Sequence, residues 1–376
     1  MLGIERITKF SELKRLQPFW DDVLQKSEHN LVFLSFDFIE AEWENIGWEL
    51  DEEKELSPFI LVVKEQEEIL GLLPFVKEWK RFYGLPVTMI RSLGHQYLDR
   101  SDMIISRKPR EIMEKVFAYF EHEETSWNVL FFQNVAEGSF LITYAAAPHG
   151  SSHVMGCKPG YRSPCVKKRG TWTDYIRSRS KNYHKRLNNK TNGLIKHAGT
   201  IVAREYRAPE EVDLALSIAF DIDSKSWKAQ EGTAISSTEK SRKYWQTLTK
   251  YLAERGRVRI WILWAGDRAI AFEYHVVYNK TVYSMKWSYD REYRRYSPGL
   301  LLKHRSMEAF WSEDIAEIHL LGTSDKFKEQ WTDEKQIHYN LYLFNNTIYS
   351  RIVDFLVFRL RDLFLKFKKK ASLSSE

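Results

Sequence analysis

Cysteine is nearly absent: Cys157 and Cys165 are the only two in 376 residues. Two thiols cannot build a disulfide framework, and no local His/Cys spacing suggests a zinc site, so the sequence predicts no metal and a cytoplasmic home. Long apolar runs are missing too. None reaches the ~18 residues of a membrane span, which excludes an integral helical membrane protein. The opening Met1-Leu-Gly-Ile-Glu-Arg lacks a basic stretch followed by an apolar core, so no export signal is expected. A large charge of one sign is also lacking. The 57 Lys and Arg against 51 Asp and Glu leave a net charge of +6, which suits a phosphorylated ligand or an anionic surface and does not by itself argue for nucleic acid. What is present is an ordinary globular balance, 43% hydrophobic and 29% charged. The length exceeds the ~250–300 residues at which single cores stop growing, so two domains are expected.

Apolar periodicity predicts a helical opening over 10–27 and 35–46, a strand hairpin over 58–75, a helix over 109–122 and a strand over 128–133. Between 145 and 170 the pattern dissolves into Pro, Gly, Ser and isolated basic residues, the expected crossing between domains 1–165 and 166–338. One basic helix is predicted over 173–197, with Arg177, Arg179, Lys181, Lys185, Arg186 and Lys190 outward. The second half then repeats the order of the first: a strand over 200–206, helices over 209–228 and 241–254, and three antiparallel strands over 258–287. A helix over 299–311 and a strand over 316–321 follow. The fold class expected is α/β (α+β), two similar domains each with a mixed, mostly antiparallel sheet flanked by helices.

One stretch carries chemistry. A strand ending in Trp287-Ser-Tyr-Asp runs through Arg-Glu-Tyr-Arg-Arg-Tyr-Ser-Pro-Gly into a Leu-rich helix. Backbone N–H groups and the positive end of a helix hold a pyrophosphate, and Arg294 and Arg295 add charge. Tyr289, Tyr296, Ser297, Gly299 and Leu300 complete this cradle. Pro298 suits a helix start in any case, so Ser297-Pro-Gly also reads as a plain cap.

The order strand, turn, strand, turn, strand, cradle, helix, strand is that of the GNAT fold. Residues 258–331 in particular resemble the acetyltransferase domain of CelD-like proteins, which are linked to bacterial polysaccharide biosynthesis. The resemblance rests on Gly266-Asp-Arg, Ala269-Ile-Ala, Tyr289-Asp290, Ser297-Pro-Gly-Leu-Leu-Leu302 and Gly322-Thr-Ser-Asp-Lys-Phe-Lys-Glu-Gln-Trp331. It extends more thinly to Ser226-Trp-Lys228, to the basic helix and into the first half. Such proteins resemble the Fem-type ligases in carrying two GNAT-like domains.

The resemblance implies an acetyl-CoA or longer acyl-CoA co-substrate and direct attack of an amine on the thioester. It implies a carboxylate base at Glu273, and Asp325 and Lys328 beside the acceptor. Trp227, Lys228, His275 and Trp331 would contact substrate. His275 alternates onto the face of Glu273. The sequence departs from enzymes with an Arg-x-x-Gly-x-Gly/Ala phosphate loop, having Ser297-Pro298-Gly299 instead.

The segment 339–376 is expected to be a separate basic amphipathic tail, with Val353, Leu356, Leu360, Leu363, Phe364 and Phe367 on one side. Residues 351–370 suit peripheral contact with an anionic inner membrane face, or packing back on the protein. Three functions follow from these readings. The first is an acyl-CoA-dependent N-acyltransferase acting on an amino sugar or other cell-envelope polysaccharide precursor. The second is a Fem-type ligase using aminoacyl-tRNA, and the third a non-catalytic scaffold in polysaccharide assembly.

Overall fold

A computed structural model describes residues 1–45, 56–93, 99–146, 154–232 and 234–360. The chain divides into two compact units, 1–43 with 47–161 and 337–376, and 44–46 with 162–336.

The first unit is built on β1 (Leu2–Ile7), β2 (Leu56–Glu65), β3 (Glu68–Phe82), β4 (Leu85–Ser92), β5 (Ile104–Ile105) and β6 (Val129–Ala136). The helical opening expected over 10–27 is found as Phe10–Arg15 and Gln17–Lys26, and it is preceded by the strand Leu2–Ile7, for which there was no expectation and which pairs with β2. The β2/β3 turn forms at Gln66, which takes a left-handed φ of 55°. Side chains alternate along the strands, so Ile90, Leu130 and Leu341 face one core with helix Pro109–His122. Val87, Met89, Phe131, Tyr342 and Phe344 line a second core with Val353 and Val357.

Two expectations change. The apparent crossing over 145–170 contains the long strand β7 (Val154–Lys167), whose glycines and prolines hide its extended pattern. The expected separate tail does not begin at 339, because strand Lys335–Phe344 pairs with β6 and helix Ile348–Asp354 buries Val353. The remainder of the predicted amphipathic tail, 361–376, lies outside the described residues.

The second unit contains β8 (Ile201–Tyr206), β9 (Val258–Ala265), β10 (Arg268–Tyr278), β11 (Thr281–Tyr289) and β12 (Glu317–His319), while β13, Lys335–Phe344, belongs to the first from Ile337 onward. Residues 162–167 of β7 complete its sheet, in the order β7-β12-β11-β10-β9-β8. The β10/β11 turn has both central residues left-handed, Asn279 at φ 49° and Lys280 at φ 59°, which matches the right-handed twist of the strands. Helix Pro298–Trp311 packs Leu300, Leu301, Leu302, Met307 and Phe310 against the sheet. The single basic helix expected over 173–197 is in fact two, Trp172–Arg177 and Lys181–Ala198. Ser178, Arg179 and Ser180 separate them, and Ser180 caps the second by accepting from the Tyr183 N–H.

The two units repeat one plan. Strand, helices, three antiparallel strands, a long helix and a parallel strand occur in each, with β4/β6 parallel in the first and β11/β12 parallel in the second. Each long helix starts with Pro at its first position behind a left-handed residue, Lys108 at φ 54° and Ser297 at φ 52°.

Candidate active site

The site is set by where β11 loses its neighbour. Its pairing with β12 covers Thr281–Tyr283 only, while β11 runs on to Tyr289. After His319 the chain turns through Leu321 and Gly322, both at positive φ. A bulge adds to the effect: Tyr274 faces Lys286 and His275 faces Ser284, so Met285 is the extra residue. The backbone of β11 beyond Tyr283 is thereby released from the parallel ladder that holds its first three residues.

The cradle lies at the end of this strand. Asp290, 2% exposed, accepts from the Glu292 N–H at 3.0 Å and from Arg268 at 2.7 Å, which fixes the turn Arg291–Tyr296. Ser297 caps nothing with its side chain; the Leu300 N–H turns back to its carbonyl at 2.9 Å. Arg294 and Arg295 are exposed. Lys190 donates to the Arg295 carbonyl, and His197 stacks on Tyr296 at 5.2 Å. The helix Lys181–Ala198 thus brings the Lys190 ammonium and the His197 ring to the same end of the long helix as the two arginines. A side chain at Gly299 would meet only Tyr289 and Trp287, at 3.8–3.9 Å, so glycine there keeps the space before those rings open.

Beside β11, Lys228 donates to the Trp287 carbonyl and lies over the Trp287 ring at 4.8 Å. Ser226 positions it by capping the short helix Trp227–Gln230, and Asp223 holds Ser226 at 3.1 Å. Burial, assisted by the ammonium groups of Lys286 and Lys328 and opposed by Asp223, pushes the Lys228 amine down to about 8. Phe327 stacks on the other partner of this cluster, Trp287, at 4.7 Å. Lys328 donates to the carbonyls of Leu321 and Thr323 at 2.7 and 2.9 Å, anchoring the loop after β12. Trp227 is exposed.

Four expected site residues have a different role from the one their positions suggested. Glu273 is 1% exposed, with Oε1 on Lys303 at 3.0 Å and Oε2 taking Ser306 at 2.6 Å and His275 at 3.0 Å. Burial alone would raise its carboxyl; Lys303, with His275 and Ser306, overrides that and holds it at about 2. A carboxylate this acidic, with both oxygens engaged, is a poor proton acceptor. His275 is 1% exposed and joins the same network through Ser284 at 3.1 Å, so it faces no substrate. Asp325 is spent as a cap, accepting from the N–H groups of Phe327 and Lys328 at 2.8 and 2.9 Å. Trp331 is fully buried against Tyr183, and its carbonyl accepts from Tyr175 and Arg179.

Sequence reasoning had Lys190 only as part of an outward basic face and Trp287 only as the end of a strand, and it gave Lys286, Phe327 and His197 no individual role. Lys190 and Phe327 carried a signal, the one in the basic helix and the other between two lysines in a motif already singled out. The lone Lys303 inside Gly-Leu-Leu-Leu-Lys could have been read as a buried cation in need of a carboxylate.

Residues 181–329 match the model of the acetyltransferase (GNAT) domain family. No curated protein matches the sequence. Among solved structures, FemX is similar over 94% of this chain and 99% of its own, at 9% identity and a TM-score of 0.58. A conserved protein of unknown function from Bacteroides thetaiotaomicron VPI-5482 is similar over 92% and 100%, at 11% identity and a TM-score of 0.55. Over 92–94% of its length the chain therefore shares its fold with these structures, and residues 181–329 match a transferase domain of the GNAT acetyltransferase type.

Proposed function

We propose that the protein transfers an acyl group from acetyl-CoA, or a longer acyl-CoA, to the amine of an amino sugar or another precursor of a cell-surface polysaccharide. The observation that carries this reading is the coincidence of a released β11 edge with a cationic helix start, inside a segment that matches an acetyltransferase domain. The pyrophosphate would lie on the first turn of Pro298–Trp311 between Arg294, Arg295 and Lys190. The pantetheine arm would add itself as a strand to β11 beyond Tyr283, using the backbone groups that β12 leaves. That course carries the thioester toward Trp287 and Lys228. CelD-like proteins are the resemblance from which the polysaccharide precursor is taken.

Lys228 takes the base role in this reading. Near pH 8 half of its amine is neutral, and the neutral form accepts the proton that the attacking acceptor amine loses. The ammonium groups of Lys286 and Lys328 then favour the oxyanion that forms on the thioester carbonyl. Release of CoA thiol from acetyl-CoA, followed in the presence of amino-sugar acceptors, tests the reaction. With Lys228→Arg, whose side chain stays charged, kcat falls by about 10²–10⁴. The rise of kcat through pH 8 disappears as well. An unchanged kcat and pH profile would remove Lys228 from the mechanism.

A second donor is favoured by the basic helix Lys181–Ala198, whose Lys190 reaches the cradle. A phosphate-rich aminoacyl-tRNA would meet the same cations, as in Fem-type ligases, and would bind with a steep salt dependence. Acyl transfer that free CoA inhibits competitively separates the first donor from the second.

A further inference from the structure

We infer that Cys165, Glu317 and His319 form a zinc site in the second unit, independent of the acyl-transfer reading. The three residues come from neighbouring antiparallel strands. His319 faces Cys165 directly across the β12/β7 ladder, and Glu317 precedes His319 by two, which puts all three side chains on one face. Their atoms converge. The Cys165 Sγ lies 3.7 Å from the Glu317 Oε2 and 3.7 Å from the His319 Nε2, and these last two are 3.0 Å apart.

A tetrahedral zinc with bonds of about 2.3 Å to sulfur and about 2.0–2.2 Å to nitrogen and oxygen has ligand–ligand edges of roughly 3.4–3.6 Å. The triangle found here is within a few tenths of an ångström of that. Small movements of the carboxylate close the difference.

The alternative use of such residues is a nucleophile relay, and the geometry opposes it. In a relay the imidazole spends one nitrogen on the thiol and the other on the carboxylate. Here thiol and carboxylate both lie on the Nε2 side of the ring, so the imidazole does not bridge them through its two nitrogens; instead the Glu317 carboxylate accepts from the thiol and meets the same Nε2. A shared cation would take the same three converging atoms as ligands: Cys165 binds as thiolate, His319 through a neutral Nε2 and Glu317 as carboxylate, with their protons released to solvent. Thiolate, imidazole and carboxylate together are a zinc set, and three protein ligands leave a fourth position for water. The surroundings hold the ligands in place. Cys165 and His319 are 4% and 6% exposed, and Tyr283 stacks on the His319 ring at 5.4 Å. Glu317 is part-exposed and gives the ion a way in.

A zinc at this point would tie the three-residue strand β12 to β7 at the position from which β11 departs. The test uses the purified full chain, loaded with Zn²⁺, freed of excess metal and assayed for metal content, and in parallel loaded with Co²⁺ for absorption spectroscopy. One zinc per chain is expected, with a rise in thermal midpoint on loading. Cobalt should give a thiolate charge-transfer band that Cys165→Ser abolishes, and His319→Gln should lose the metal. Should either variant fail to fold, the cobalt spectrum of the wild-type chain decides alone. A folded wild-type chain that retains no zinc and shows no thiolate band, or variants that bind as well as wild type, would overturn the site.

Discussion

Glu273 shows how much a single position depends on its partners. Alternation along β10 placed Glu273 and His275 on one face in the sequence, and that much is correct. The helix face that meets them, with Lys303 and Ser306, comes about thirty residues later, and no periodicity links the two; the contact turns a candidate base into half of a buried ion pair. Removing one partner of such a pair leaves the other charge buried, which costs about 3–5 kcal/mol. Glu273→Gln should therefore lower unfolding stability at pH 7 by that amount in denaturant titrations, with Lys303 stranded. The pH dependence has a definite sign. The folded carboxyl at about 2 lies below its ordinary 4.5, so its contribution is complete above 4.5 and is lost as pH falls toward 2. The Gln variant should lack that acid-side loss. A variant as stable as wild type at pH 7 would mean the network contributes nothing. Cys165 and His319 teach the same lesson, being 154 positions apart.

At the scale of elements, strong local signals were legible and tertiary ones were not. The meander β9–β10–β11 and the Pro-led helix could be read because turn residues and a 3.6-residue period are local properties. Strand β7 could not, since Gly156, Pro159, Gly160 and Pro164 mask a pattern that pairing enforces. The helix Ile348–Asp354 was foreseen in kind but not in orientation. Val353 and Val357 point inward, while Ile348, Ile352, Phe355 and Leu356 are exposed. Those four positions form one apolar stripe at helical spacing, ahead of the basic run Lys368-Lys-Lys370. We propose that this stripe meets an anionic bilayer surface. Co-sedimentation with vesicles containing phosphatidylglycerol should retain the protein at low salt, and Ile352→Glu with Phe355→Glu should release it. Equal retention by the variant, or none by wild type, would remove the membrane from the account.

The whole molecule is two copies of one plan, and the first takes its last strand from across the sequence. Residues 162–167 of β7 serve the second unit, and 337–344 of β13 return to the first. The repeat was visible in the order of elements; the return of β13 to the first unit was not, because strand pairing at such separation leaves no local trace. The two long helices also diverge in charge. Behind the first, Arg107 and Lys108 are each paired with a carboxylate, Glu68 and Glu65, whereas behind the second the Arg295 guanidinium meets the Tyr296 hydroxyl and ring. That difference favours the second unit as the place of the proposed anion cradle. Calorimetry of acetyl-CoA with the wild-type chain and with Arg294→Ala/Arg295→Ala tests this most directly. The account predicts one site per chain that the double variant weakens by at least tenfold. A folded wild-type protein giving no heat with acetyl-CoA, longer acyl-CoA or free CoA, or a double variant that binds as tightly, would contradict it.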